Sequence, residues 1–244
     1  MRNIKLIIEY DGTNYHGWQI QPNGITIQEV IQNALATLTK TETQIIGAGR
    51  TDTGVHAAGQ VANFSTDSEL SSGSIQKALN SILPDDVVIT DVQDVPPDFH
   101  ARFSARSRTY RYTILNREFP SAFLGNTTYF FPRSIDSDRI DDVCGALIGE
   151  KDFSSFQRTG SERINPVCAV LEASCWRDAD LVYFQIEADA FLRGMVRALV
   201  GTVLKLQATP DPIHRFQTIL DARDRSAAGP SAPSHGLSLI AVKY

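Results

Sequence analysis

Residues 4–9 open the chain as a short, β-rich apolar run, and a loop over 11–24 with glycines at 12 and 17 follows. Thr26-Ile27-Gln28-Glu29 reads as a capping box, and Ile27, Val30, Ile31, Ala34, Leu35 and Leu38 then recur at helical spacing. Residues 43–48 and 59–65 alternate as strands. A second helix is expected over 74–82, stopped by Pro84-Asp85-Asp86, and residues 87–95 return as a strand. Strand, helix, strand, strand, helix, strand describes helices laid on one face of a mostly antiparallel sheet.

The remainder reads as a second, looser version of the same plan. Residues 107–115 alternate, and 138–148 form an amphipathic helix with Gly149 after it. Residues 167–176 and 181–188 make a hairpin, 191–206 a long helix, 213–220 a shorter one, and 237–242 a final strand. Ala, Ser, Pro and Gly fill 226–236, which is a loop rather than a linker. The expected fold class is therefore α+β. Two similar subdomains, 1–103 and 104–244, would leave a cleft between their sheets.

Composition narrows the picture. A chain of 244 residues at 42% hydrophobic can bury a large core or two modest ones. No apolar run approaches the ~20 residues that span a bilayer, and the N-terminus turns acidic too soon for a signal peptide. Cys144, Cys168 and Cys175 are odd in number and contain no C-x-x-C, so structural thiols in a reducing cytoplasm are expected rather than a disulfide framework or a zinc site.

A net charge of −5 argues against a nucleic-acid partner, but distribution outweighs the sum. Seventeen of the 23 basic residues are arginine, the side chain shaped for bidentate phosphate contact. Arg102, Arg106, Arg108, Arg111 and Arg117 lie close together, with Phe103, Tyr110 and Tyr112 among them. Arg193 and Arg197 are four apart and would share a helix face.

The chemistry concentrates in residues 49–59, G-R-T-D-T-G-V-H-A-A-G. Asp52 has Arg50 two residues before it and Gly54 two after. Burial alone would raise the pKa of Asp52, so an always-charged guanidinium beside it would keep it ionised. Gly54 is free to take positive φ in a tight turn that aims one side chain outward. Residue types alone leave open whether this is a catalytic carboxylate or a structural ion pair that pins a loop.

This stretch resembles the catalytic motif of the tRNA pseudouridine synthase I family, in which Arg-Thr-Asp-x-Gly-Val-His surrounds the catalytic aspartate. Glu9-Tyr10-Asp11-Gly12, Tyr15-His16-Gly17-Trp18-Gln19, residues 99–116 and residues 191–201 match the same family, so the resemblance covers nearly the whole chain in order. It implies isomerisation of uridine to pseudouridine at positions 38, 39 and 40 of the tRNA anticodon arm. It further implies Asp52 as the catalytic carboxylate, Arg50 as its ionic partner and Tyr110 as the residue stacking on the extruded base. Arg197 matches the family's arginine, a candidate to contact RNA or to pair with an acid in the cleft. The family usually carries His-His before Met-Val-Arg-Asn, where this chain has Arg193-Gly194 and Ala198, and Ser238 stands where an aromatic is common. A homodimer bridged by tRNA is implied as well.

The reaction moves the uracil attachment from N1 to C5 with no gain or loss of atoms, so neither cofactor nor metal is expected. Tyr112 is expected to be a core residue and His56 to turn into the sheet and hold the loop; His16 and His100 read as loop or packing residues. Two rivals stand beside this reading. A silent RNA-binding protein would have no use for Asp52, and a sugar hydrolase would normally need a second carboxylate, which is lacking near the motif.

Overall fold

The computed structural model describes residues 1–158, 160 and 165–244. It separates into two compact units, Met1–Arg106 with Ser238–Tyr244, and Ser107–Leu237.

In the first unit β1 (Arg2–Tyr10) lies between β3 (His56–Thr66) and β4 (Val87–Val95), antiparallel to both. Two-residue β2 (Ile46–Gly47) adds to β3, a remnant of the longer strand expected over 43–48. The terminal strand β10 (Leu237–Lys243), expected with the second half, runs parallel to β3 and pairs Ser238 with His56. Gly59 permits that approach, since a Cβ there would stand 3.1 Å from the Ile240 carbonyl carbon.

Alternation along β1 sends Ile4, Leu6 and Ile8 into the core at 0% exposure. Helix α1 (Ile27–Thr39) buries Ile27, Ile31 and Leu35, the apolar positions its sequence period marks. Thr26 caps it, its hydroxyl accepting from the Glu29 amide. Helix α2 (Ser72–Ile82) is capped in the same way by Ser71 and buries Ile75 and Leu79.

In the second unit the strand order is β5 (Ser107–Leu115), β9 (Leu181–Ala188), β8 (Val167–Asp178) and β7 (Gly149–Asp152), antiparallel throughout. The two-residue β6 (Tyr129–Phe130) adds to β5 in parallel. Helix α3 (Ser137–Gly145) ends before the expected 148. Its last turn closes at Ala146 and Leu147, and Gly149 at φ +101 starts β7. Helices α4 (Met195–Leu206) and α5 (Pro212–Ala222) complete the unit, with Phe153, Phe156 and Phe216 fully buried.

Helix α4 starts four residues later than its apolar spacing suggests. Gly194 takes φ +71 at the N-cap, and the amide of Met195 turns back to the Leu192 carbonyl. Arg193 therefore precedes the helix and is exposed, so it does not share a helical face with Arg197. The class is mixed α and β with mostly antiparallel strands, as the hydrophobic pattern indicates.

Candidate active site

Asp52 sits in the loop between β2 and β3, in the first unit, and is half-buried. The amide of Val55 donates to the Asp52 carbonyl at 3.1 Å, closing a four-residue turn with Gly54 at φ +73 in its third position. That conformation strains any residue with a Cβ, which is why glycine stands there. The side chain of Gln60 secures the start of the loop, donating to the Gly49 carbonyl at 2.8 Å and accepting from the Gly49 amide at 3.3 Å.

A second loop, residues 11–18, supports the turn from behind. The Trp18 amide donates to the Thr51 carbonyl at 3.1 Å, and the Gly54 amide to the Tyr15 carbonyl at 3.3 Å. The hydroxyls of Tyr10 and Thr51 lie 2.8 Å apart, both residues buried. Gly17, at φ +86, lies against the peptide that leads into Asp52: a Cβ would stand 3.0 Å from the Asp52 carbonyl carbon and closer still to the Thr51 oxygen. Gly12 is as tight, with the Val55 carbonyl carbon 2.7 Å from its missing Cβ. Backbone on backbone, with no flexible side chain between, leaves the Asp52 turn little freedom.

His56, 5% exposed, turns inward as expected. Its Nδ1 lies 3.0 Å from the Gly12 amide and 3.1 Å from the Asp11 carboxylate. One nitrogen cannot accept from the amide and donate to the carboxylate at once. An unprotonated Nδ1 accepts from Gly12, whereas an Nδ1 that carries a proton donates to Asp11, and either holds the 11–18 loop onto β3. Partial burial works against ionisation of Asp11. Hydrogen bonds from the Thr13 hydroxyl and amide, together with His56, outweigh it and hold the carboxyl below its ordinary value. Tyr15 anchors the far side of the loop through its hydroxyl on Asp86; burial first, then that carboxylate, pushes its phenol pKa up.

Arg50, two residues before Asp52, is exposed. Tyr110 and Arg197 belong to the second unit. Tyr110 is 8% exposed, its ring perpendicular to that of Phe191 with centroids 4.9 Å apart. Tyr112, on the same strand face, is fully buried as the core residue expected, and its hydroxyl donates to the Pro233 carbonyl at 2.8 Å. Arg197 is half-buried on the first turn of α4, its Nε donating to the Ala232 carbonyl at 2.8 Å.

The arginine stripe divides. On β5, Arg108 and Arg111 point to opposite faces by strand parity. Arg111 donates twice to Gln185 and lies over the rings of Trp176 and Tyr183 at 5.4 and 5.6 Å. Arg117 is bound to the Phe119 and Pro120 carbonyls within its own loop. His100 is a turn residue, its Nδ1 accepting from the Arg102 and Phe103 amides at 3.2 Å.

The buttress of Tyr10, Gly12, Tyr15, Gly17 and Trp18 was not assigned a role from sequence, although two closely spaced glycines in an aromatic loop were its visible signal. Cys144, Cys168 and Cys175 are buried free thiols. Among the described residues, no group of three or more His, Cys, Asp or Glu is placed to hold a metal, and no helix is long and apolar enough to cross a membrane.

Residues 6–104 and 143–244 match a family model described as tRNA pseudouridine synthase. Over all 244 residues, covering 100% of both chains, this chain is 44% identical to the tRNA pseudouridine synthase A of Acetivibrio thermocellus. It is 41% identical to the protein of that name from Thermoanaerobacter sp. and 42% to tRNA pseudouridine synthase A 2 of Clostridium perfringens, again over the whole of both chains. A structural match to a crystal structure of a Cbf5-Nop10-Gar1 complex has a TM-score of 0.41 at 12% identity, covering 97% of this chain and 48% of the other.

Proposed function

The chain belongs to the tRNA pseudouridine synthase family, and from that premise we propose that it isomerises uridines 38, 39 and 40 of the anticodon arm with Asp52 as its catalytic carboxylate. The family is an isomerase acting on tRNA. The observation that carries the residue assignment is the Asp52 turn itself. It is a half-buried carboxylate on a sharp glycine turn, with backbone packed behind it at Gly12 and Gly17, neither of which has room for a Cβ. Such over-determination of a short loop is what a preorganised reacting group requires.

In the reaction the bond from ribose C1′ to uracil N1 breaks and one from C1′ to C5 forms, while the C5 proton is lost and a proton returns to N1. Two routes use one carboxylate. Asp52 attacks C1′, as carboxylates do in retaining glycosidases, or it removes a ribose proton to give a glycal. Either needs the uracil out of the stack so that C1′ and C5 are reachable. Arg50 serves as the ionic partner of Asp52. Tyr110, its ring orientation fixed by Phe191, stacks on the extruded base, and Arg197 contacts the RNA. The protein works in the cytoplasm, consistent with three buried free thiols, as a homodimer bridged by tRNA, and requires no cofactor.

The test is to incubate purified protein with unmodified tRNA transcripts bearing uridine at 38, 39 or 40 and to map pseudouridine by position. Modification confined to those positions supports the reading. Pseudouridine formed elsewhere and absent from 38–40 refutes the site assignment.

A further inference from the structure

Residues 229–233 form a strap laid along α4. The Gly229 amide donates to the Thr202 hydroxyl at 2.9 Å, and the Ala232 amide to the Arg197 carbonyl at 2.9 Å. Gly201 and Gly229 make the approach possible. A Cβ on Gly201 would stand 3.0 Å from the Pro230 carbonyl carbon, and one on Gly229 would stand 2.9 Å from the Thr202 Cα. The strap carries an acceptor with a specific use: the Ala232 carbonyl takes the Nε–H of Arg197 at 2.8 Å. A guanidinium is planar and rigid, so fixing Nε sets the roll of the plane and hence the direction of its Nη edge.

One residue further on, the strap is tied to the sheet. Tyr112 on β5 is 0% exposed and donates its hydroxyl to the Pro233 carbonyl at 2.8 Å. Its ring lies flush against Gly236, where a Cβ would stand 2.6 Å from the Tyr112 Cζ. Burial, then Tyr129, pushes the phenol pKa far up, so the hydroxyl remains a proton donor throughout the physiological range.

We infer that Tyr112 is a positioning residue for Arg197: its hydroxyl latches the 229–233 strap, and the strap's Ala232 carbonyl sets the direction of the guanidinium. The functional consequence rests on Arg197 contacting the RNA, as proposed above; the latch itself is a matter of geometry.

The test uses Tyr112→Phe, which keeps the ring and removes only the donor, after its melting transition has been compared with wild type. The Nε–Hε resonance of Arg197 is identified by ¹⁵N NMR from its loss in Arg197→Lys. In Tyr112→Phe this proton should exchange with solvent about tenfold faster, the factor that corresponds to losing one ordinary hydrogen bond. Unchanged exchange overturns the inference. In turnover of tRNA, Tyr112→Phe should lower kcat/KM about tenfold, while adding less than about twofold to Arg197→Gln, because coupled residues are not additive. Full multiplication of the two effects also overturns it. If Arg197→Gln alone leaves tRNA binding and turnover at wild-type values, the assignment of Arg197 fails, and the exchange rate still decides the latch.

Discussion

Gly17→Ala tests the buttress behind Asp52 with the smallest possible perturbation. The residue sits at φ +86, and the added methyl would face the Thr51–Asp52 peptide, 3.0 Å from the Asp52 carbonyl carbon and nearer to the Thr51 oxygen. An L-residue with positive φ costs about 1–2 kcal/mol, and forcing a methyl into filled space costs about 1–3 kcal/mol more. The obstructing atoms are backbone, so no side chain can swing away. Relief requires the 11–18 loop and the Asp52 turn to part by roughly 1 Å to regain van der Waals distance. The expected stability loss is about 2–5 kcal/mol, or a fall of about 4–20 °C in Tm for a chain of this size. A reacting group displaced by roughly 1 Å loses about a hundredfold in rate. Thermal melting and single-turnover pseudouridine formation, with enzyme in excess over tRNA, measure the two effects separately. Gly73→Ala is the control. It lies in the first turn of α2 with nothing within 4 Å of its missing Cβ, and it should stabilise by roughly 0.5–1 kcal/mol. A Gly17→Ala protein that melts and reacts like wild type would refute the claim that the loop holds Asp52 in place.

Tyr110→Phe should bind tRNA normally and lose most of its turnover if the hydroxyl moves a proton at C5, and Tyr110→Ala should lose a further ~1–3 kcal/mol of base stacking; wild-type turnover by the phenylalanine variant would reduce Tyr110 to a platform. The three thiols should be nearly inert to a disulfide reagent at pH 8 in the folded protein, because all are buried, with the Cys175 pKa pushed up to about 12 by burial and then Asp141, and Cys144 raised further. Three should react after denaturation, and fast native labelling would contradict the packing. Asp11, held below its ordinary 3.8, contributes stability that is full above that value and is lost as pH falls through the folded value. Wild type and Asp11→Asn should therefore converge in Tm on acidification, and a gap that widens below pH ~4 would reverse the assigned sign.

Local patterns in the sequence marked what local physics decides. The turn at Asp52 was legible because Gly54 is the residue that takes φ +73 without strain, and α1 because apolar spacing and the Thr26 cap agree. The start of α4 was not: apolar spacing runs back to Phe191, but Gly194 at φ +71 breaks the helix before Met195. Strand parity, once the register of β5 is known, splits an arginine cluster that looks continuous on paper. The buttress and the latch depend on pairs far apart in sequence, such as Tyr10 with Thr51 and Tyr112 with Pro233. No periodicity encodes such pairs, and the glycines at 12, 17 and 201 indicate close approach without naming what approaches. The pairing of Ser238 with His56 was hidden for the same reason.

The central claim is that Asp52 performs the chemistry, and Asp52→Asn tests it most directly. The amide keeps the shape of the side chain but has neither the nucleophile nor the base. In single-turnover reactions with unmodified tRNA, the variant should form no pseudouridine at 38, 39 or 40 above background. Its melting temperature and its affinity for tRNA should stay close to wild type. Pseudouridine formed by Asp52→Asn at a rate within tenfold of wild type would contradict the account, and the catalytic carboxylate would have to be sought elsewhere.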